Sequence, residues 1–225
     1  MDDENTFRRV AAVTAVLAAP PAIGSLVVGL AALGNDFDAF SDPSLLLAAT
    51  TSAGLLRWSV LLNMFGYYLL LTPAALYLWH WLKTQSPHLV KLYSLCGLGY
   101  LWLGVMGAAI LASVWPSLVN AYSQAAAGQQ ETITVVFEGI TAVVEGGLWS
   151  NPQDLLGGLW WLGIGSFLRR ERSGLGLLTM VLGAAVLLNS LGDFLNLETL
   201  DTIGLSLALL LVPIWSIWLG LTLLR

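Results

Sequence analysis

The chain has 225 residues, of which 57% are hydrophobic and only 10% charged, and its formal net charge is −5. Soluble domains average about 25% charged residues, so this composition excludes a water-soluble globule, and the acidic balance argues against a nucleic-acid partner. The single cysteine, Cys96, excludes an intramolecular disulfide and a thiolate metal cluster.

Apolar runs long enough to cross a bilayer recur six times along the chain. A membrane helix needs roughly 18 or more apolar residues and satisfies its own backbone hydrogen bonds. The sequence therefore predicts an all-α, polytopic integral membrane protein, a six-helix transmembrane bundle that forms one domain over residues 1–225. The predicted spans cover residues 10–33, 55–82, 92–114, 152–168, 174–195 and 203–224.

Prolines punctuate the first half of the chain. Pro20 and Pro21 predict a break or bend in the first span, and Pro73 predicts a kink in the second. Residues 34–54 form the loop between these spans. The centre of this loop, Pro43–Ala49, is expected to form a short interfacial helix.

The segment before the fourth span is the most ambiguous part of the sequence. Over residues 131–150 one helical face is polar and the opposite face is apolar, which predicts an amphipathic helix. We expect it to lie at the outer interface with its glutamates facing water, or to lead into the fourth span. Asn151 as N-cap and Pro152 at the first position then predict a new helix start. The polar face comprises Glu131, Thr134, Glu138, Thr141 and Glu145.

The cations fix the predicted orientation. Eight of the nine fall on one side of a six-span topology, and Arg57 alone falls on the other, where most acids also lie. Short cationic loops stay in the cytoplasm, so both termini are predicted to be cytoplasmic in a cell inner (plasma) membrane. The eight cations are Arg8, Arg9, Lys83, Lys91, Arg169, Arg170, Arg172 and Arg225.

Several tryptophans lie deep within the predicted spans. Trp102, Trp160 and Trp161 are far enough from the interfaces to predict packing between helices. Trp115 lies at the outer interface, where tryptophan is enriched in membrane proteins. Together with Pro116 it is predicted to close the third span.

Three stretches carry a resemblance to a known family. They are LLRWSVLLNMFGYYLLLTPAALYLWHWLK, LLGGLWWLGIGSFLRRERSGLGLLTMVLGAAVLLNSLGDFLN and IGLSLALLLVPIWSIWLGLTLLR. The chain resembles the uncharacterised bacterial six-helix membrane family catalogued as domain of unknown function 4386. This resemblance implies a six-helix topology but no reaction. Two residues of the chain, Arg57 and Asp193, match the family pattern by position. The chain departs from that pattern over residues 131–152, where the family tends to have a more continuous fourth helix.

Two charges, Arg57 and Asp193, are expected at similar depth. Arg57 lies about 32 Å above Leu78, and Asp193 about 29 Å above Gly174, at 1.5 Å of rise per residue. Both would sit at the outer edge of a hydrocarbon core about 30 Å thick. We predict that they form an ion pair, or that they belong to a ligand site, because membrane-embedded charges often mark substrate paths.

Uncharged polar side chains within the spans give the remaining candidates. Asn63 and Asn189, with the neighbouring Ser190, either form hydrogen bonds between helices or line a polar cavity that opens outward. Asp154 would be a further lining group and is the second candidate partner for Arg57.

No pattern of catalytic or metal-binding residues is evident, so we expect no enzyme, no metal and no cofactor. The leading hypothesis is a protein that binds or transports a small molecule, lipid or ion through an outward-facing polar pocket. The alternative is a non-catalytic structural or assembly partner of another membrane protein. The expected partners are the lipid bilayer, a small-molecule or lipid ligand, and a membrane protein or a second copy of the chain.

Overall fold

The computed structural model describes residues 3–36, 38–40 and 42–225, and every regular element in this part of the chain is a helix. Two π-helical segments, Met64–Tyr68 and Glu145–Gln153, interrupt longer runs, and short 3-10 turns cover Asp38–Phe40 and Leu69–Leu71. Phe37 and Ser41 of the predicted loop over 34–54 lie outside the described residues. The α-helices are α1 (Asp3–Ala32), α2 (Pro43–Ala49), α3 (Ala53–Asn63), α4 (Thr72–Leu82), α5 (Pro87–Gln124), α6 (Ala127–Val144), α7 (Asp154–Glu171), α8 (Ser173–Phe194) and α9 (Glu198–Leu224).

Six helical runs are long and apolar enough to cross a membrane, so the structure supports the predicted all-helical, multi-pass class. Two of these runs join consecutive helices through a π-helical segment: α3 continues into α4, and α6 continues into α7. The six runs are Asp3–Ala32, Ala53–Leu82, Pro87–Gln124, Ala127–Glu171, Ser173–Phe194 and Glu198–Leu224.

The long helices form a ring in which each one packs against two neighbours. α1 packs against α3 and α9, α8 lies between α7 and α9, and α5 lies between α3 and α7. Glycines permit the closest of these contacts. A methyl group at Gly183 of α8 would lie 2.6 Å from the Leu162 amide nitrogen of α7, so only glycine lets these backbones approach so closely.

An aromatic core lies where α5, α7 and α9 meet. Trp160 and Trp161 are fully buried, with ring centroids 5.0 Å apart, and Trp215 meets both rings edge-on at 5.9 Å. The Trp215 indole nitrogen donates a hydrogen bond to Thr179 at 2.9 Å. The predicted packing of Trp160 and Trp161 between helices is confirmed. The prediction for Trp102 is wrong, because its side chain is 63% exposed on the outer surface of α5.

The short helix α2 begins and ends where the sequence predicts, at Pro43–Ala49. Asp42 caps it by accepting hydrogen bonds from the Ser44 hydroxyl and from the amides of Ser44 and Leu45. These donors stabilise the carboxylate and lower the pKa of Asp42 below its ordinary value.

The prolines do not break the helices of the first and third spans, and the predicted bend at Pro20 and Pro21 stays a prediction. α1 is continuous through Pro20 and Pro21, and α5 continues through Pro116 to Gln124. The helix therefore does not end at Trp115 and Pro116, while their position as the end of the third membrane span stays a prediction. The end of α5 continues because it packs against α6, where the Trp115 ring stacks on Phe137 at 5.6 Å.

The predicted new helix start at Asn151 is also wrong. The helical run from α6 to α7 is continuous, and the Asn151 amide donates to the Gly146 carbonyl instead of capping α7. α6 and α7 together run antiparallel to α5, so Trp149 lies against Gly107, which is within the predicted third span. An interfacial position for the part near Glu131 stays a prediction.

The faces of α6 differ from those that its amphipathic pattern predicts. Phe137 and Val144 are buried as expected. Thr141 of the polar face is also buried, at 1% exposure, because its hydroxyl accepts a hydrogen bond from the Trp115 indole at 2.9 Å. Val136, which belongs to the predicted apolar face, is 44% exposed. The polar stripe of α6 therefore turns partly toward α5 rather than wholly toward water.

Candidate functional site

Two π-helical segments in different spans approach each other near the middle of the molecule. The first, Met64–Tyr68, is followed by a 3-10 turn and then Pro73. The second, Glu145–Gln153, contains Pro152. Proline lacks a backbone donor and its ring crowds the carbonyl four residues earlier, so an α-helix near it changes pitch. Wide turns of this kind occur frequently at functional sites.

Side chains join the two segments directly. Gln153 of the second segment donates its amide to the Tyr68 hydroxyl of the first, at 3.3 Å. The Tyr68 ring lies 6.5 Å from the Trp149 ring and 5.5 Å, edge-on, from the Tyr100 ring. Any change in the pitch of one segment therefore moves a side chain that contacts the other.

Glycines on α5 create the space for these rings. A methyl group at Gly104 would overlap the Tyr68 ring, and one at Gly107 would overlap the Trp149 indole. The small side chains thus accommodate aromatic rings from both π-helical segments on one face of α5. This face holds Tyr68 and Trp149 in fixed positions.

A carboxyl group completes the site. Asp154, the first residue of α7, is half-buried and accepts a hydrogen bond from the Asn189 amide of α8 at 2.5 Å. Asn189 is only 3% exposed. It lies where the α9 backbone approaches α8 closely, because a methyl group at Gly204 would meet the Asn189 main chain. We call Tyr68, Trp149, Gln153, Asp154 and Asn189 the polar cluster.

The polar cluster contains buried hydrogen-bonding atoms that no protein group satisfies. The amide nitrogens of Gln153 and Asn189 donate to Tyr68 and Asp154, which leaves both amide oxygens buried and without a partner. The Trp149 indole nitrogen is also buried and unpaired. Each buried unsatisfied polar atom costs roughly 1–3 kcal/mol. Such atoms are uncommon in native structures, and three of them belong to this cluster.

The five predicted site residues have different outcomes. Asp154 and Asn189, predicted as possible lining groups of one polar cavity, meet each other in one hydrogen bond. Asn63 lies at the end of α3, directly before the first π-helical segment, and its amide oxygen is buried and unpartnered. Gln153, Tyr68 and Trp149 were not predicted.

The predicted ion pair between Arg57 and Asp193 is wrong. Over residues 3–36, 38–40 and 42–225, the one contact within 4.0 Å between a basic and an acidic side chain joins the His80 ring and the Glu4 carboxylate, at 3.8 Å, so Arg57 and Asp193 do not pair. Arg57 is exposed on α3, which packs mainly against α1 and α5, whereas α8 packs mainly against α7 and α9. Equal depth along two helices does not bring them to the same side of the molecule.

Asp193 instead joins an acidic group. It lies within electrostatic range of Asp154 and of Asp201 on α9. The described residues supply no cation within ion-pair distance of these three carboxyl groups. They also contain no group of three His, Cys, Asp or Glu side chains arranged to hold a metal ion. The region where α7 begins, α8 ends and α9 begins therefore carries negative charge, but its carboxyl groups are not arranged to bind a metal ion.

Comparison of the chain with protein-family models, with curated proteins and with solved structures gives no match. The resemblance to the family called domain of unknown function 4386 therefore stays a prediction.

Proposed function

We propose that this protein binds, and moves across the membrane, a small cation or a small molecule with a protonated amine, using the polar cluster. The observation that carries the proposal is the set of buried oxygens. The Gln153 and Asn189 amide oxygens lack donors, and they accompany the half-buried carboxyl of Asp154.

The orientation of the amides decides which ligand chemistry fits. Gln153 and Asn189 each direct the nitrogen to a protein acceptor, so the oxygen remains for a ligand. Acceptor oxygens beside a carboxyl group favour an ammonium group or a metal cation over an anion. The aromatic faces of Tyr68, Tyr100 and Trp149 add a surface that attracts cations through their ring quadrupoles.

The two π-helical segments support movement as well as binding. Irregular backbone at membrane depth is tolerated where it is enclosed by protein or lines a cavity. Interrupted helices are typical of transporter binding sites. A change of pitch at either segment would shift Tyr68 or Gln153, and so would open or close the cluster toward one side.

The proposal includes a placement in the membrane. The six apolar runs form a transmembrane bundle, the end of the molecule that carries Arg8, Arg172 and Arg225 faces the cytoplasm, and the polar cluster opens to the outside. Labelling with an impermeant thiol reagent tests this orientation, in a background where Cys96 is replaced. A cysteine at the exposed Ser123 should react in intact cells, and one at the exposed Thr84 should react only after lysis. The reverse pattern would overturn the orientation.

Ligand-induced stabilisation tests the binding site. Purified protein is heated with sodium, potassium, methylammonium or choline ions at constant ionic strength. A ligand at about ten times its Kd stabilises by about 1.4 kcal/mol, which is about 3–6 °C for a protein of this size. We expect at least one cation to give this shift for the wild type, and Asp154→Asn to abolish it.

Glu198→Gln is the matched control, because it removes an exposed carboxyl group at the start of α9 and leaves the polar cluster intact. It should keep the shift. If no cation stabilises the wild type, or if Asp154→Asn responds as the control does, the proposal is wrong and the assembly-partner hypothesis is favoured. Uptake of the stabilising cation into proteoliposomes then separates transport from binding alone.

A further inference from the structure

A second candidate site lies at the opposite end of the molecule and is independent of the polar cluster. Two adjoining cavities, of about 370 and 280 Å³, open where the start of α1, the turn between α7 and α8, and the end of α9 meet. Both cavities are lined by Arg172, Thr222 and Arg225, and the larger one also by Arg8. We call this region the basic cleft.

The arginines of the basic cleft lack protein partners for their charge. Among the described residues, none of Arg8, Arg172 and Arg225 has a carboxylate within ion-pair distance. Glu171 also lines the larger cavity, but its carboxylate accepts a hydrogen bond from the Gln85 amide at 2.5 Å. Three arginines from three separate elements therefore line one concave region, and none of them has an ion-pair partner there.

Arg8 supplies a second, independent observation. Its Nε atom is buried and has no hydrogen-bond acceptor. An arginine that only follows the positive-inside rule is free to place its guanidinium in water, where every donor is satisfied. The Arg8 side chain is instead half-buried at the cleft, and its Nε–H group has no acceptor, which is costly. An anion that enters the cleft would supply acceptors to this guanidinium group.

The walls of the cleft select the kind of anion. The planar guanidinium fork matches the geometry of a phosphate oxygen pair. Trp218, 45% exposed, and the buried Leu175 line the smaller cavity, and Trp81 lines the larger one. An apolar wall beside a cluster of arginines fits an amphiphile whose phosphate enters the cleft while its acyl chains lie along the helices. Basic pockets between membrane helices are known to bind such head groups.

We infer that the basic cleft binds the phosphate of an anionic phospholipid, held by Arg8, Arg172 and Arg225 with the acyl chains against Trp218. The ligand bridges α1, α8 and α9, and so ties together the first, fifth and sixth spans at this end. The site differs from the polar cluster in charge, in position and in ligand.

Native mass spectrometry of the full-length protein released from detergent tests this inference with three probes. They are phosphatidylglycerol, which is an anionic lipid, phosphatidylcholine, which is zwitterionic, and inorganic phosphate. We expect the wild type to bind phosphatidylglycerol at least tenfold more tightly than either other probe. The double variant Arg8→Gln/Arg172→Gln should lose at least tenfold in this affinity.

The control variant, Arg169→Gln/Lys91→Gln, removes the same amount of charge from exposed cations outside the cleft. It should bind phosphatidylglycerol as the wild type does. The single variant Arg172→Gln changes only an exposed side chain in a turn, so it should fold normally and lose affinity partially. Equal losses in the control and in the double variant would overturn the inference, as would equal affinity for phosphatidylcholine. Inorganic phosphate binding as tightly as the lipid would overturn the assignment to a phospholipid.

Discussion

The substitution Gly104→Ala tests the packing that positions Tyr68. A methyl group at residue 104 would meet the Tyr68 ring, and all three of its nearest neighbouring atoms belong to that ring. Tyr68 is buried between Tyr100 and Trp149, so it cannot move aside without displacing them. Overpacking of this kind typically costs about 1–3 kcal/mol.

A matched glycine removes the effect of helix propensity from this comparison. Alanine is favoured over glycine within a helix by about 1 kcal/mol, and Gly139→Ala in α6 gains this benefit with no atom within 4 Å of the new methyl group. Gly104→Ala should therefore be about 1–3 kcal/mol less stable than Gly139→Ala. For a chain of this length each kcal/mol shifts Tm by about 2–4 °C.

The assay is thermal unfolding of the purified variants in the same detergent. The Tyr68→Ala background provides the decisive comparison, because without the ring Gly104→Ala should cost nothing. If Gly104→Ala is as stable as Gly139→Ala, or if its cost persists after Tyr68→Ala, the ring does not lie against α5 as described.

Three further outcomes are expected. Asp154→Ala should destabilise the protein by about 1–3 kcal/mol, because the amide nitrogen of the buried Asn189 loses its acceptor; an unchanged Tm would contradict this role. Thr179→Val should cost a similar amount by leaving the buried Trp215 indole nitrogen unpaired. Trp215→Phe should then cost less in the Thr179→Val background than in the wild type, measured in the same unfolding assay. After correction for the intrinsic pH dependence of exchange, the protection of the α2 amides should fall as pH drops below about 4. The lowered pKa of Asp42 means that its cap contributes stability above this pH and loses it on protonation, and Asp42→Asn should remove the pH dependence.

Local signals in the sequence predict local structure well. The α2 boundaries follow from an aspartate that precedes a proline, which is an N-cap followed by a residue preorganised for the first helical turn. The same signal fails at Asn151 and Pro152. There α5 packs along the whole run from α6 to α7, and tertiary contacts keep the helix continuous by widening it into a π-helical segment.

Relations between helices are harder to predict from the sequence. Depth along each helix follows from counting residues, but the direction around the helix axis depends on which neighbours pack there. Arg57 and Asp193, predicted to lie at similar depth, are on helices that pack against different neighbours. Asp154 and Asn189 meet because glycines let α7, α8 and α9 approach closely. Nothing in the sequence marks Gln153 or Tyr68 as a site residue. Each lies within a few residues of a proline, Gln153 at the start of a predicted span and Tyr68 inside one.

A cryo-electron microscopy map of the protein in lipid nanodiscs, with the stabilising cation present, tests the central proposal most directly. The proposal predicts non-protein density within hydrogen-bonding distance of the Asp154 carboxyl and the Asn189 amide oxygen, and loss of this density in Asp154→Asn. A map in which the amide oxygens of Gln153 and Asn189 are paired with protein groups, with no added density in the wild type, would contradict it.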